Sequence, residues 1–108
     1  LRFPELYRNL SKKNLNFIAV PSAFTKFTGK KHWHTLLRAR AIENFCYIFA
    51  PAQGGTHYNG RKTFGHTMII SPDGKILKQL KKSEGVITSK VYPDEAKKLR
   101  KIIPSLYK

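Results

Sequence analysis

The chain has 108 residues, 41% hydrophobic and 12% aromatic, which suits one small folded domain or a piece of a larger one and excludes a disordered tail. Lys and Arg total 21 against 6 Asp and Glu, a formal net charge of +15, and Cys46 is the one cysteine. A lone thiol excludes an internal disulfide framework or thiolate metal site and suits a reducing, cytoplasmic setting; no apolar run approaches the ~20 residues of a membrane span, so no membrane partner is expected.

Pro4 suits a first helical turn, and Glu5 to Lys13 then reads as a short basic helix. Leu15 to Val20 (LNFIAV) is a compact apolar run, read as a buried strand stopped by Pro21. Pro21 to Gly29 (PSAFTKFTG) reads as a loop, with Thr28 as N-cap of a long helix from Lys30 to Asn44. Trp33, Leu36, Leu37 and Ala41 recur on that helix at helical spacing. Arg40 lies on or beside the same face, and a buried Arg needs a partner; Glu43 and Glu5 are the candidates for an ion pair joining two helices.

Cys46 to Ala50 (CYIFA) is the next strand, apolar enough to be covered on both faces. Pro51 to Phe64 (PAQGGTHYNGRKTF) reads as a glycine-rich polar loop, long enough to be functional. Gly65 to Ser71 returns to strand, Pro72-Asp73-Gly74 turns, and Lys75 to Leu80 completes a hairpin. Gly85 to Val91 is read as a further strand, and Pro93-Asp94 opens a last helix running to about Ile103. Strands buried on both faces need layers on both sides, so the expected fold is an α/β layered sandwich whose two sheets this chain cannot cover alone.

Few side chains offer chemistry. Cys46 sits between aromatic residues in a strand, the setting of a buried structural thiol rather than a nucleophile. His32 and His34 are two apart on a helix and diverge, while His57 and His66 lack an interposed carboxylate or thiolate, so no metal site is expected. Gly54-Gly55-Thr56 lacks phosphate-loop spacing, and Ser22 and Ser71 lack the spacing of a hydrolase elbow. The basic residues fall in scattered pairs, Lys12-Lys13, Lys30-Lys31, Lys81-Lys82 and Lys97-Lys98, without an RNA-binding motif. No specific nucleic-acid partner is expected; the rival reading is a non-enzymatic basic module that binds RNA or another polyanion.

Four stretches carry a resemblance. "LRFPELYR", "PSAFTKFTGKKHWHTLLRARAIENFCYIFAPAQGG", "GRKTFGHTMIISPDGKIL" and the closing "LRKIIPSLYK" resemble, in order and spacing, the C-terminal portion of a nitrilase-superfamily carbon–nitrogen hydrolase. Within it, "HW…LLRARAIEN", "APAQ.G.H" and "GHTMII.P.G" are most similar to the deaminated glutathione amidase branch, near the omega-amidases. Thr67 stands where that branch usually has Ser, and Asp73 where an aromatic is common.

The resemblance implies that residues 1–108 form the C-terminal portion of one hydrolase domain, part of a four-layer α-β-β-α sandwich. It implies hydrolysis of an amide in a small carboxylate-bearing substrate through a Cys acyl-enzyme, with release of ammonia and no cofactor. In that family "LRFPE" directly follows the segment that holds the nucleophilic Cys, typically "CYDLRFPE", and the Glu and Lys lie further upstream, so none of these 108 residues is expected to be catalytic. Phe24, Thr25, Gln53, His57, His66 and Thr67 are then expected to border the substrate pocket. A homodimer through helices 4–13 and 30–44 is likewise implied, with Leu6, Tyr7, Leu10, Trp33, Leu36 and Leu37 needing cover.

Overall fold

The fold, given by a computed structural model, is described for residues 1–81 and 84–105. Lys82 of the Lys81-Lys82 pair, and residues 106–108 of the closing match, lie outside the described residues. The elements are α1 (Pro4–Ser11), β1 (Phe17–Ala19), α2 (Lys26–Asn44), β2 (Tyr47–Ala50), β3 (Gly54–Thr56), β4 (Lys62–Phe64), β5 (Thr67–Ile70), β6 (Ile76–Leu80) and α3 (Pro93–Ile102).

One four-stranded sheet runs in the order β1-β2-β5-β6. β1 and β2 are parallel, as their connection through α2 requires, and the β2–β5 and β5–β6 pairs are antiparallel. Strand alternation sends Ile18, Ile48, Met68 and Ile70 to one face, where they form a core with Trp33, Leu37 and Ala41 of α2 and Tyr7 of α1. The opposite face carries Phe17, Tyr47, Phe49 and Ile69, with the Phe17 ring 5.7 Å from Tyr47 and 5.6 Å from Phe49. Helices on one side of an incompletely covered sheet are what part of an α-β-β-α sandwich presents. α3 attaches on that second side: the Tyr47 hydroxyl donates to Glu95 Oε2 at 2.8 Å and accepts from the Tyr92 N–H at 3.0 Å.

Several boundaries differ from expectation. α2 begins four residues early, because Thr25, not Thr28, is the N-cap: its Oγ1 accepts from the Thr28 N–H at 3.3 Å. The polar stretch 51–64 is not all loop, since β3 and β4 pair as a small hairpin, Gly55 opposite Thr63. Residues 85–91 form no strand and have no sheet partner among the described residues. Of the six residues expected to need a partner's cover, Tyr7, Trp33 and Leu37 are sealed within the chain itself, while Leu6 remains 56% exposed.

Arg40 is buried and its partner is Glu43, 3.3 Å away on the same helix, so the ion pair does not join two helices. The joining is done otherwise: Arg40 Nε donates to the Leu1 carbonyl at 3.1 Å, and its guanidinium lies 5.7 Å from the Tyr7 ring.

Candidate functional site

Backbone pairing assembles the candidate residues. Beyond β1 the parallel alignment continues, with Ser22 N–H donating to the Pro51 carbonyl and Gln53 N–H to the Ser22 carbonyl, each at 3.0 Å. Thr25 bridges to Thr63, and the Phe64 N–H donates to the Phe24 carbonyl at 2.9 Å. Residues 22–25 and the hairpin are thereby held side by side. Gly65 and His66 both take positive φ, +71° and +61°, which turns the chain sharply from β4 into β5. The turn is pinned from α2 by Trp33, whose Nε1–H donates to the His66 carbonyl at 2.9 Å.

Four of the six expected residues, Gln53, His57, His66 and Thr67, line one cleft of about 390 Å³. His57 Nε2 lies 2.8 Å from Thr63 Oγ1. The Thr67 hydroxyl is engaged by the backbone: it accepts from the Ala52 N–H at 2.9 Å and donates to the Ala52 carbonyl at 3.3 Å. Gln53 is exposed, its side chain open to solvent. Phe24 and Thr25 are not part of this cleft. Phe24 packs 5.0 Å from the Trp33 ring with the Arg2 guanidinium over its own ring at 5.2 Å from the centroid, and Thr25 is committed to capping α2.

A second cleft of about 610 Å³ lies on the other side of His66, lined by Lys26, Lys30, Gly55, Thr56, Lys62, Thr63, Phe64 and His66. The Phe64 and His66 rings stack with centroids 3.8 Å apart, and His34 stands edge-on to both. Gly29 allows this, because Phe64 packs directly on the α2 backbone at that glycine. Lys26, Lys30, Lys62 and Phe64 were not among the expected site residues. The available signal was local: the first turn of α2 contains lysine and no acid, against the preference of a helix N-terminus for negative charge.

Cys46 is fully buried, with Sγ donating to the Leu15 and Asn44 carbonyls at 3.1 and 3.2 Å. Burial pushes its thiol above the ordinary value, offset in part by Ser11 and Arg100, so thiolate is disfavoured. Among the described residues no three His, Cys, Asp or Glu side chains gather as a metal site, and no helix is long and apolar enough to cross a membrane.

A model of the carbon–nitrogen hydrolase family matches residues 1–101. The chain belongs to the carbon–nitrogen hydrolases. Among curated proteins, this hydrolase chain is 52% identical over 106 residues to a deaminated glutathione amidase of Synechocystis, covering 98% of the chain and 39% of the relative. It therefore spans about two-fifths of that relative's length. Among solved structures, the C. elegans NitFhit protein superposes with a TM-score of 0.94 at 40% identity, over 98% of this chain and 26% of that one. A variant of the amidase from Nesterenkonia sp. AN1, with the acetamide moiety of fluoroacetamide added covalently at its active site cysteine, superposes with a TM-score of 0.69 at 26% identity, over 77% and 31%.

Proposed function

We propose that these residues form the pocket wall and much of one sheet of a cysteine-dependent amide hydrolase acting on a small carboxylate-bearing amide, of the deaminated glutathione amidase kind. The chemistry would be attack of a thiolate on the amide carbonyl, loss of ammonia as the C–N bond breaks, and hydrolysis of the thioester by water. The observation that carries the reading is the state of Cys46. The chain's only thiol is sealed, hydrogen-bonded to two carbonyls and held protonated, so a family reaction that needs a thiolate takes it from outside these 108 residues. The relative bearing an adduct on its active site cysteine supports the same chemistry by analogy.

In this reading the exposed side of α1, with Phe3 71% and Leu6 56% exposed, meets a second copy, and the Phe17–Phe49 face of the sheet packs on a second sheet. The test is ammonia release from short omega-amides. Two proteins are compared: the chain alone, and a chimera in which the part of the Synechocystis relative preceding the match is joined before Leu1. Turnover by the chimera alone is expected, unchanged by Cys46→Ala. Turnover by the isolated chain that vanishes with Cys46→Ala would overturn the assignment, as would a folded chimera with no activity.

A further inference from the structure

The larger cleft is electrostatically unbalanced. Lys26 and Lys30 stand one turn apart in the first two turns of α2, and Lys62 reaches the same cleft from β4. None of the six acidic residues, Glu5, Glu43, Asp73, Glu84, Asp94 and Glu95, lines it. The one salt bridge among the described residues, Arg40 with Glu43, is elsewhere. Two lysines at i and i+4 repel, and both oppose the positive end of the helix dipole. Three lysines lining one cleft, with no acidic residue among its lining, make a seat for an anion.

The other wall is different. Phe64, half-buried, stacks face to face on His66 with an interplanar angle of 13°, and both residues line the cleft beside the lysines. Bare inorganic anions gain nothing from such a wall. An organic acid does: its carboxylate meets the lysines while its methylene stem lies along the rings. His66 also lines the smaller cleft with Gln53 and His57, so a molecule held beside the rings adjoins those residues.

We propose that this cleft is a carboxylate subsite, in which Lys26, Lys30 and Lys62 hold the acidic group of the amide substrate and Phe64 with His66 supports its aliphatic stem. The naming of the ligand as substrate rests on the amide hydrolase reading; the binding itself does not. The three lysines are exposed, so replacing them leaves the core untouched.

The experiment is an NMR titration of the full 108-residue chain with glutarate, and separately with inorganic phosphate. Glutarate should saturably shift the amide resonances of Gly55, Thr56, Lys62 and Phe64. Its Kd should rise at least tenfold in Lys30→Gln/Lys62→Gln and stay within twofold in Lys97→Gln/Lys98→Gln, which removes the same charge from α3. Equal weakening in both variants would reduce the effect to net charge and overturn the proposal. Phosphate binding as tightly as glutarate would overturn the role of the rings, and the absence of saturable glutarate shifts would overturn the subsite. These outcomes are read without turnover, so they are separable from the chimera assay.

Discussion

Phe64 rests directly on Gly29: a Cβ added to Gly29 would lie 2.4 Å from the Phe64 Cβ and 2.5 Å from its Cγ. This contact lets the β3–β4 hairpin approach α2, and it sets the wall between the two clefts. In an isolated helix, Gly→Ala would gain about 1 kcal/mol. Here the added methyl must displace a strand residue, and overpacking of this kind costs about 1–3 kcal/mol. Gly29→Ala should therefore lower the melting temperature, and Gly29→Ala combined with Phe64→Ala should lower it by less than the sum of the two changes. A thermal melt of the three variants checks this; strict additivity would mean the two residues do not meet.

Tyr47 ties the sheet to α3. Its hydroxyl is both donor to Glu95 and acceptor from the Tyr92 N–H, at the first turn of the helix. Tyr47→Phe keeps the buried ring and removes both bonds, leaving the Tyr92 N–H without this acceptor. The expected cost is about 1–3 kcal/mol, with the larger share at α3. Hydrogen exchange should accelerate at Ala96 and Leu99 more than at Ile48 or Ile70. Uniform acceleration across all four would show that α3 is held by something other than this hydroxyl.

Alkaline pH should weaken the fold through Cys46 before Tyr47. Burial raises the Cys46 thiol above its ordinary value of 9.0 and the Tyr47 hydroxyl above its ordinary 10.0. Below about pH 9 both groups are protonated in either state, and their contribution is whole. As pH rises from 9.0 towards the folded-state value, the unfolded chain has released the thiol proton and the folded chain has not. The unfolded state then binds fewer protons, so stability falls with pH. Urea unfolding at a series of pH values should show that decline beginning near 9 for the parent chain. In Cys46→Ala it should begin nearer 10. An unchanged onset in the variant would remove Cys46 as the cause.

The Arg40–Glu43 pair should be asymmetric. The Arg40 side chain is 7% exposed and the Glu43 side chain 41%. Glu43→Gln leaves Arg40 with the Leu1 carbonyl and the Tyr7 ring, and should cost about 0–1 kcal/mol. Arg40→Ala loses a charged hydrogen bond and the packing of a buried stem, and should cost roughly 1.5–3 kcal/mol. Denaturant titration of both variants measures the difference. Equal costs would mean that the ion pair, rather than the tether to the first residues, fixes Arg40.

Elements with strong local patterns were legible in the chain itself. The apolar runs of β2 and β5, the Pro72-Asp73-Gly74 turn and the Pro93 start of α3 all lie where the sequence placed them, within one or two residues. Cys46 between aromatic residues read correctly as a buried thiol, because its neighbours determine its burial.

The sequence by itself determined which segments bury their side chains, since hydrophobic spacing is a property of consecutive residues. Tertiary structure decided what depends on a distant partner. Thr25 and Thr28 are equally suitable caps, and Thr25 wins because its neighbour Phe24 is held by Phe64 across the hairpin. The glycine-rich segment Gly54–Thr56 has little intrinsic strand preference, and it becomes a strand because it pairs with Lys62–Phe64, whose Phe64 is set against Gly29. Residues 85–91 have the composition of a strand and, lacking a partner edge among the described residues, form none. The lysine cleft is the clearest case. Lys26 and Lys30 are separated from Lys62 by more than thirty positions in the chain, and only the hairpin's return to the start of α2 puts their charges together.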